Sequence, residues 1–90
     1  MIEANNLLAE ASHILADRHE QYGDAKQLHQ KMGRMIGNQL NVECTPTDAA
    51  LVMAQIKLAR LAIGVDDPAA QKDTFIDAIN YIAIAWECSE

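Results

Sequence analysis

Residues 46–64 form a predicted helix with apolar side chains on every side, and this feature constrains the fold more than any other. Thr45 is a favourable N-cap, Pro46 suits the first helical position, and Gly64 supplies a left-handed stop. A helix without a polar face is usually buried. We therefore expect this segment to lie at the centre of the molecule.

Two cations interrupt this apolar helix. Lys57 and Arg60 lie one turn apart and share one side of it. A buried cation must be paired with a carboxylate or an anionic ligand, unless its head reaches the rim of the core. Lys57 and Arg60 therefore predict an ion-pair network, an anion site, or a position at the edge of the core.

Three further helices are predicted from the apolar periodicity, at about 2–22, about 25–40, and from 69 or 73 to 86. Gly23 ends the first of them, and Asp24 is a good N-cap for the second. No linker long enough to divide the chain is present. We predict a single all-α domain over residues 1–90, folded as a compact antiparallel bundle of about four helices.

Charge and composition exclude several classes of function. The net charge of −6 argues against a nucleic-acid binder, which would carry a basic face. No stretch of about 20 residues is free of charge, so we expect no membrane span. The N-terminus lacks the features of a signal peptide, and the two cysteines have neither disulfide-framework nor zinc spacing. These features predict a cytoplasmic protein with reduced thiols and no metal site built on its histidines.

The amount of apolar surface predicts self-association. Half of the residues are hydrophobic, and both the third and the fourth helix are apolar over most of their circumference. A chain of 90 residues buries too small a core to cover both helices. We expect a homo-oligomer whose subunits share apolar faces, with two-fold symmetry.

Polar residues from three helices are expected to converge if the helices pack with short connections. Cationic guanidinium and ammonium groups suit phosphate, and an aromatic ring suits a base. The candidate ligand-binding residues are Arg18, His19, Tyr22, Lys57, Arg60, Asp73, Asp77 and Tyr81. The competing interpretation is an ion-pair network of the two central cations with Asp73 and Asp77, which would only order the bundle.

Several of these residues form motifs. The segment Arg18–Asp24 reads R-H-E-Q-Y-G-D, the central helix carries K-L-A-R at 57–60, and the last helix carries D-x-x-x-D-x-x-x-Y at 73–81. Together with Thr45-Pro46, this pattern resembles a family of small phage and prophage helical proteins. More distantly, the layout is similar to phage nucleotide-modification-associated domains and to MazG-like all-α nucleoside triphosphate pyrophosphohydrolases. The resemblance implies a helical, oligomeric protein that handles nucleotides, in the cytoplasm of the host cell if it is phage-encoded.

The chain departs from the MazG-like pattern at the metal site. Those enzymes hold Mg²⁺ with two acidic pairs on adjacent helices, but residues 25–40 of this chain contain no Asp or Glu. The nearest substitutes are the pairs Asp17 with Glu20 and Asp73 with Asp77, and the first pair lies on the face expected to meet solvent. The remaining groups are mostly cationic and aromatic, which suits holding a phosphate-bearing ligand better than cleaving it.

We therefore expect a non-catalytic, phage-type protein that binds a nucleotide or nucleotide-derived signal between subunits, without a cofactor. Arg18, Lys57 and Arg60 would hold phosphate, and Tyr22 or Tyr81 would stack on the base. In a phage, such a protein could sequester an immune signal of the host. One alternative is a Mg²⁺-dependent nucleoside triphosphate pyrophosphohydrolase, whose metal ligands would be Asp73 and Asp77 with Glu20 or Asp48. Another is an acidic adaptor that binds a host protein.

Overall fold

Four helices account for most of the chain. The structure is a computed structural model that describes residues 3–90, and its helices are α1 (Glu3–Tyr22), α2 (Ala25–Leu40), α3 (Pro46–Ile63) and α4 (Pro68–Cys88). No strand occurs in this range. The prediction of an all-α fold with four helices is therefore confirmed. The expected first residue of α1, Ile2, lies outside the described residues.

Side-chain caps explain where α3 and α2 begin. The Thr45 hydroxyl accepts a hydrogen bond from the backbone N–H of Asp48 at 3.0 Å, and the Asp48 carboxylate accepts one from the N–H of Thr45 at 3.1 Å. This reciprocal capping box satisfies two backbone donors that the helix itself leaves unpaired. Asp24 caps α2 by accepting from the N–H of Lys26 at 2.9 Å. Gly64, with φ of 107°, follows the last turn of α3.

Helix α4 is longer than predicted at both ends. Its N-cap is Asp67, whose carboxylate accepts from the N–H of Ala70 at 3.1 Å, and Pro68 occupies the first turn. The predicted start at residue 69 or 73 missed this cap. The helix also continues two residues beyond Trp86, to Cys88.

The core is built largely from small side chains on α3 and α4, the two helices with the most extensive mutual contact. Ala50 is fully buried and packs with Ile84 and Ala85 of α4. Helix α4 contacts all three other helices. Helix α1, by contrast, packs against α4 and makes at most slight contact with α2 or α3. A buried hydrogen bond joins this pair, from the Asn80 side-chain amide to the carbonyl oxygen of Ala11 at 3.0 Å.

The prediction that α3 is buried on every side is wrong for the single chain. Only Ala49, Ala50 and Ala54 of this helix are buried. The exposed large apolar residues of α3 are Leu51, Val52, Ile56, Leu58 and Ile63. The reason is the placement of α1, which lies on α4 and leaves one side of α3 uncovered. None of the helices in residues 3–90 is both long and apolar enough to cross a membrane.

Candidate functional site

A cavity of about 500 Å³ lies where the end of α1 and the start of α2 meet the middle of α4. Apolar side chains, including Leu15, Leu28 and Ile84, form much of its wall. Its polar and aromatic lining residues are Ser12, Arg18, His19, Tyr22, Asp24, His29, Asp77, Asn80 and Tyr81. Apolar walls with a few convergent polar groups are typical of small-molecule sites, and the volume lies within the usual range for them.

Five of the eight residues that the sequence singled out line this cavity: Arg18, His19, Tyr22, Asp77 and Tyr81. The structure brings these five residues together from α1 and α4. The wall is formed within one chain, whereas the sequence analysis placed the ligand between subunits. Tyr22 is exposed at the mouth, and Tyr81 is partly buried.

The other three predicted ligand-binding residues do not line the cavity. Arg60 and Asp73 are exposed, and no ion pair involving either is formed among residues 3–90. Lys57 is mostly buried and reaches the site only indirectly, through Asp77. Of the predicted ion-pair network among Lys57, Arg60, Asp73 and Asp77, the structure therefore contains one pair, Lys57 with Asp77.

The carboxylate of Asp77 is the electrostatic centre of the site. One oxygen, Oδ2, lies 3.1 Å from Nζ of Lys57, and the other, Oδ1, lies 3.3 Å from Nη1 of Arg18. Asp77 and Lys57 are mostly buried, whereas half of the Arg18 side chain is exposed. The carboxylate thus joins α1, α3 and α4 and holds the Arg18 guanidinium at the wall of the cavity.

Sequence reasoning missed His29 and Asn80. His29 is buried in α2; its Nδ1 lies 2.7 Å from the carbonyl oxygen of Ala25, and its ring meets the ring of Tyr81 edge-on with centroids 6.1 Å apart. The sequence contains a sign that His29 is buried. On one face of α2 the imidazole is flanked by two small residues at intervals of four, Ala25 and Gly33. Asn80 similarly shares a face of α4 with Asp77.

The acidic residues proposed as metal ligands for the hydrolase alternative do not lie together in the structure. Asp48 serves in the capping box of α3, and both Glu20 and Asp73 are exposed. Within residues 3–90, no cluster of three or more His, Cys, Asp or Glu side chains is placed to hold a metal ion. Asp77 is the member of that set that lines the cavity, and it is engaged with two cations.

Comparisons with known proteins identify a family and one phage relative. A family model described as a domain of unknown function, DUF6378, matches residues 6–89. The chain is 31% identical over 81 residues to the Gene 55 protein of Mycobacterium phage L5, an alignment that covers 88% of this chain and 49% of that protein. The chain thus spans about half the length of this relative. No solved structure matches the chain.

Proposed function

The chain belongs to the DUF6378 family, and we propose that this member binds a nucleotide or nucleotide-derived ligand in the cavity between α1, α2 and α4. The observation that carries the proposal is a guanidinium, two tyrosine rings and two imidazoles around one partly apolar cavity. Such a set offers a cation for phosphate and aromatic faces for a base. The resemblance to nucleotide-handling helical proteins supports the same ligand class.

Arg18 is the group best placed to hold phosphate. Its guanidinium bonds Asp77 through Nη1, and a guanidinium carries further N–H donors that can reach a second anion. His19, the next residue on α1, adds a ring nitrogen at the cavity wall. Lys57 contributes by sharing the charge of Asp77, so that this carboxylate repels an incoming phosphate less strongly.

The aromatic rings supply the surface for a base. Tyr22 is 81% exposed in the free protein, so a base that stacks on it covers apolar ring surface without displacing a packed side chain. Base–aromatic stacking contributes about 1–3 kcal/mol per base. Leu15, Ala25 and Ile84 continue this apolar surface toward the interior of the cavity.

The charges around the cavity favour ligands that carry few phosphates. Asp24 and Asp77 place two carboxylates in the wall against one guanidinium, and the whole chain has a net charge of −6. A triphosphate would meet more repulsion here than a monophosphate or a cyclic nucleotide. This balance also favours binding over Mg²⁺-dependent triphosphate hydrolysis, since no described cluster of acids is placed to hold the metal. For a phage-encoded member, we propose sequestration of a host signalling nucleotide as the role.

A second part of the proposal is self-association. Phe75, Ile82 and Trp86 follow one another at intervals of seven and four residues on α4, and all three are exposed. The exposed apolar side of α3 adds further uncovered surface. Repeats of this kind form the seam between packed helices. We propose that α3 and α4 of two copies cover one another in a two-fold dimer; the alternative partner of this surface is a host protein.

Calorimetry with a panel of nucleoside monophosphates, triphosphates and cyclic mono- and dinucleotides tests the binding proposal. We expect heat of binding for at least one monophosphate or cyclic nucleotide and weaker binding of the matching triphosphate. Arg18→Gln should weaken nucleotide binding by about tenfold, as expected for a lost charged hydrogen bond. The matched control is Arg34→Gln on α2, which does not line this cavity and should leave affinity unchanged. A silent panel would overturn the proposal.

A further inference from the structure

His29 carries a buried polar atom that the folded chain leaves without a partner. The side chain is only 2% exposed and lies in the wall of the cavity. One ring nitrogen, Nδ1, is satisfied by the carbonyl oxygen of Ala25. The other, Nε2, is buried and has no hydrogen-bond partner among the described residues.

The satisfied nitrogen determines what the other can do. A carbonyl oxygen can only accept a hydrogen bond, so Nδ1 must donate its proton to Ala25. In a neutral imidazole the remaining nitrogen then keeps its lone pair. Nε2 is therefore an unused acceptor that can bind an N–H or O–H group.

The contact of the ring with Tyr81 and the bond to Ala25 give no reason for an unpaired Nε2. An unsatisfied buried acceptor destabilises the folded state, and a Leu of similar size would fill the space without that penalty. The Ala25 carbonyl does not need the bond from Nδ1 either, because it already accepts a hydrogen bond from the helical N–H four residues later. A buried polar group that weakens the free protein, on a residue that lines a cavity, is typical of ligand sites.

We infer that His29 is the specificity-determining residue of the cavity and that its Nε2 accepts a hydrogen bond from an N–H group of the ligand's base. This inference rests on the proposed nucleotide binding. The inference adds an orientation for the bound nucleotide. Its base points toward α2, with the hydrogen-bonding edge of the base at Nε2 and the flat face of the base near Tyr81. Recognition by a buried acceptor rejects ligands that lack the donor, because Nε2 would then stay unpaired in the complex.

Two substitutions separate the two ring nitrogens. His29→Asn keeps a side-chain N–H in the position of Nδ1 and removes the acceptor, whereas His29→Gln places an amide oxygen near the position of Nε2. The probes are AMP, CMP, GMP and UMP, measured by calorimetry. For the probe that binds wild type most tightly, we expect about tenfold weaker binding to His29→Asn and a smaller loss for His29→Gln.

A third variant and a spectroscopic measurement exclude a purely structural role. His29→Leu should melt at the same temperature as wild type or higher, yet gain less thermal stabilisation from the same nucleotide. In wild type, the ¹⁵N resonance of Nε2 should show an unprotonated nitrogen that shifts toward lower frequency when the nucleotide is added. Both results would mark His29 as a group retained for binding.

The outcomes distinguish this inference from the function on which it rests. If none of the nucleotides in either panel binds wild type, the proposed function and this inference fall together. If a nucleotide binds but His29→Asn and wild type have equal affinity, the inference is overturned and the proposed function stands. A protonated Nε2 in the free protein at neutral pH, or a His29→Leu variant that melts well below wild type, would also overturn it.

Discussion

Lys57 and Asp77 form an ion pair with a distance of 3.1 Å between Nζ and Oδ2, in which the two side chains are only 20% and 17% exposed. The pair joins α3 to α4 directly beside the cavity, and the second oxygen of Asp77 extends the link to Arg18 of α1. An ion pair so far removed from solvent is screened less than one on the surface. This carboxylate therefore orders three helices as well as the candidate site.

Asp77→Asn should lower the free energy of unfolding by about 2 kcal/mol, because Lys57 is left mostly buried without a counter-charge. Urea denaturation would measure the change. The matched control is Glu10→Gln, which breaks a shorter pair, 2.7 Å from Lys72, whose side chains are 47% and 51% exposed. We expect this control to cost at most about 1 kcal/mol. Equal losses in the two variants would show that burial does not determine the strength of these pairs.

Gly33→Ala should destabilise the protein, although alanine is the better helix former by about 1 kcal/mol. A Cβ atom at this position would lie 2.6 Å from the carbonyl oxygen of Cys44, which is backbone and cannot rotate away. We expect a net loss of about 1–3 kcal/mol, as for other overpacked positions, measured by thermal unfolding. Asn38→Ala, at an exposed position of the same helix, should be neutral or slightly stabilising. A Gly33→Ala variant as stable as wild type would show that the loop moves away freely.

Ile82→Lys should weaken self-association without unfolding the subunit, because Ile82 is exposed in the single chain and lies in the middle of the apolar repeat on α4. Sedimentation velocity at micromolar concentration should show wild type as a dimer or larger species and the variant shifted toward monomer. Met35→Lys, at an exposed apolar residue of α2, provides the control and should leave the sedimentation unchanged. A wild-type protein that stays monomeric would contradict the proposed dimer.

Cys88 should react slowly with alkylating agents. Partial burial raises the pKa of the Cys88 thiol above its usual value, and the nearby carboxylate of Glu87 raises it further. A raised pKa means less thiolate at any given pH, and the thiolate is the reactive form. In a Cys44→Ser background, iodoacetamide at pH 8 should therefore modify the folded protein more slowly than a short cysteine peptide. The difference should vanish in concentrated urea, where an equally slow reaction would contradict this explanation.

Local signals in the sequence predicted the helices well. The end of α1 and the start of α2 follow from Gly23 and Asp24, and the start of α3 follows from Thr45. Each of these signals acts through a hydrogen bond or a backbone conformation within a few residues. The start of α4 was predicted too late, at residue 69 or 73, because Asp67 was not identified as its N-cap.

The candidate site was only partly predictable because it depends on packing between distant segments. Arg18 and Asp77 were singled out by residue type, and the structure places them together. Arg60 was grouped with Lys57 because the two lie three residues apart, but three residues fall about 60° short of a full helix turn. This offset leaves Lys57 mostly buried and Arg60 exposed. The prediction that α3 is buried was wrong for a related reason. The periodicity of a sequence indicates how apolar a helix face is, but it does not indicate which helix covers that face.

The hydrogen bond from Asn80 to the carbonyl of Ala11 sets the axial register of α1, a helix with one principal neighbour. Arg18 follows Ala11 by about two turns, so its position relative to Asp77 depends on this hydrogen bond together with the ion pair of Glu10 with Lys72, which joins the same two helices. Sliding α1 by a single turn, about 5.4 Å, would carry the guanidinium out of reach of that carboxylate. The alignment of the cationic end of the pocket thus depends in part on contacts that involve neither Arg18 nor Asp77.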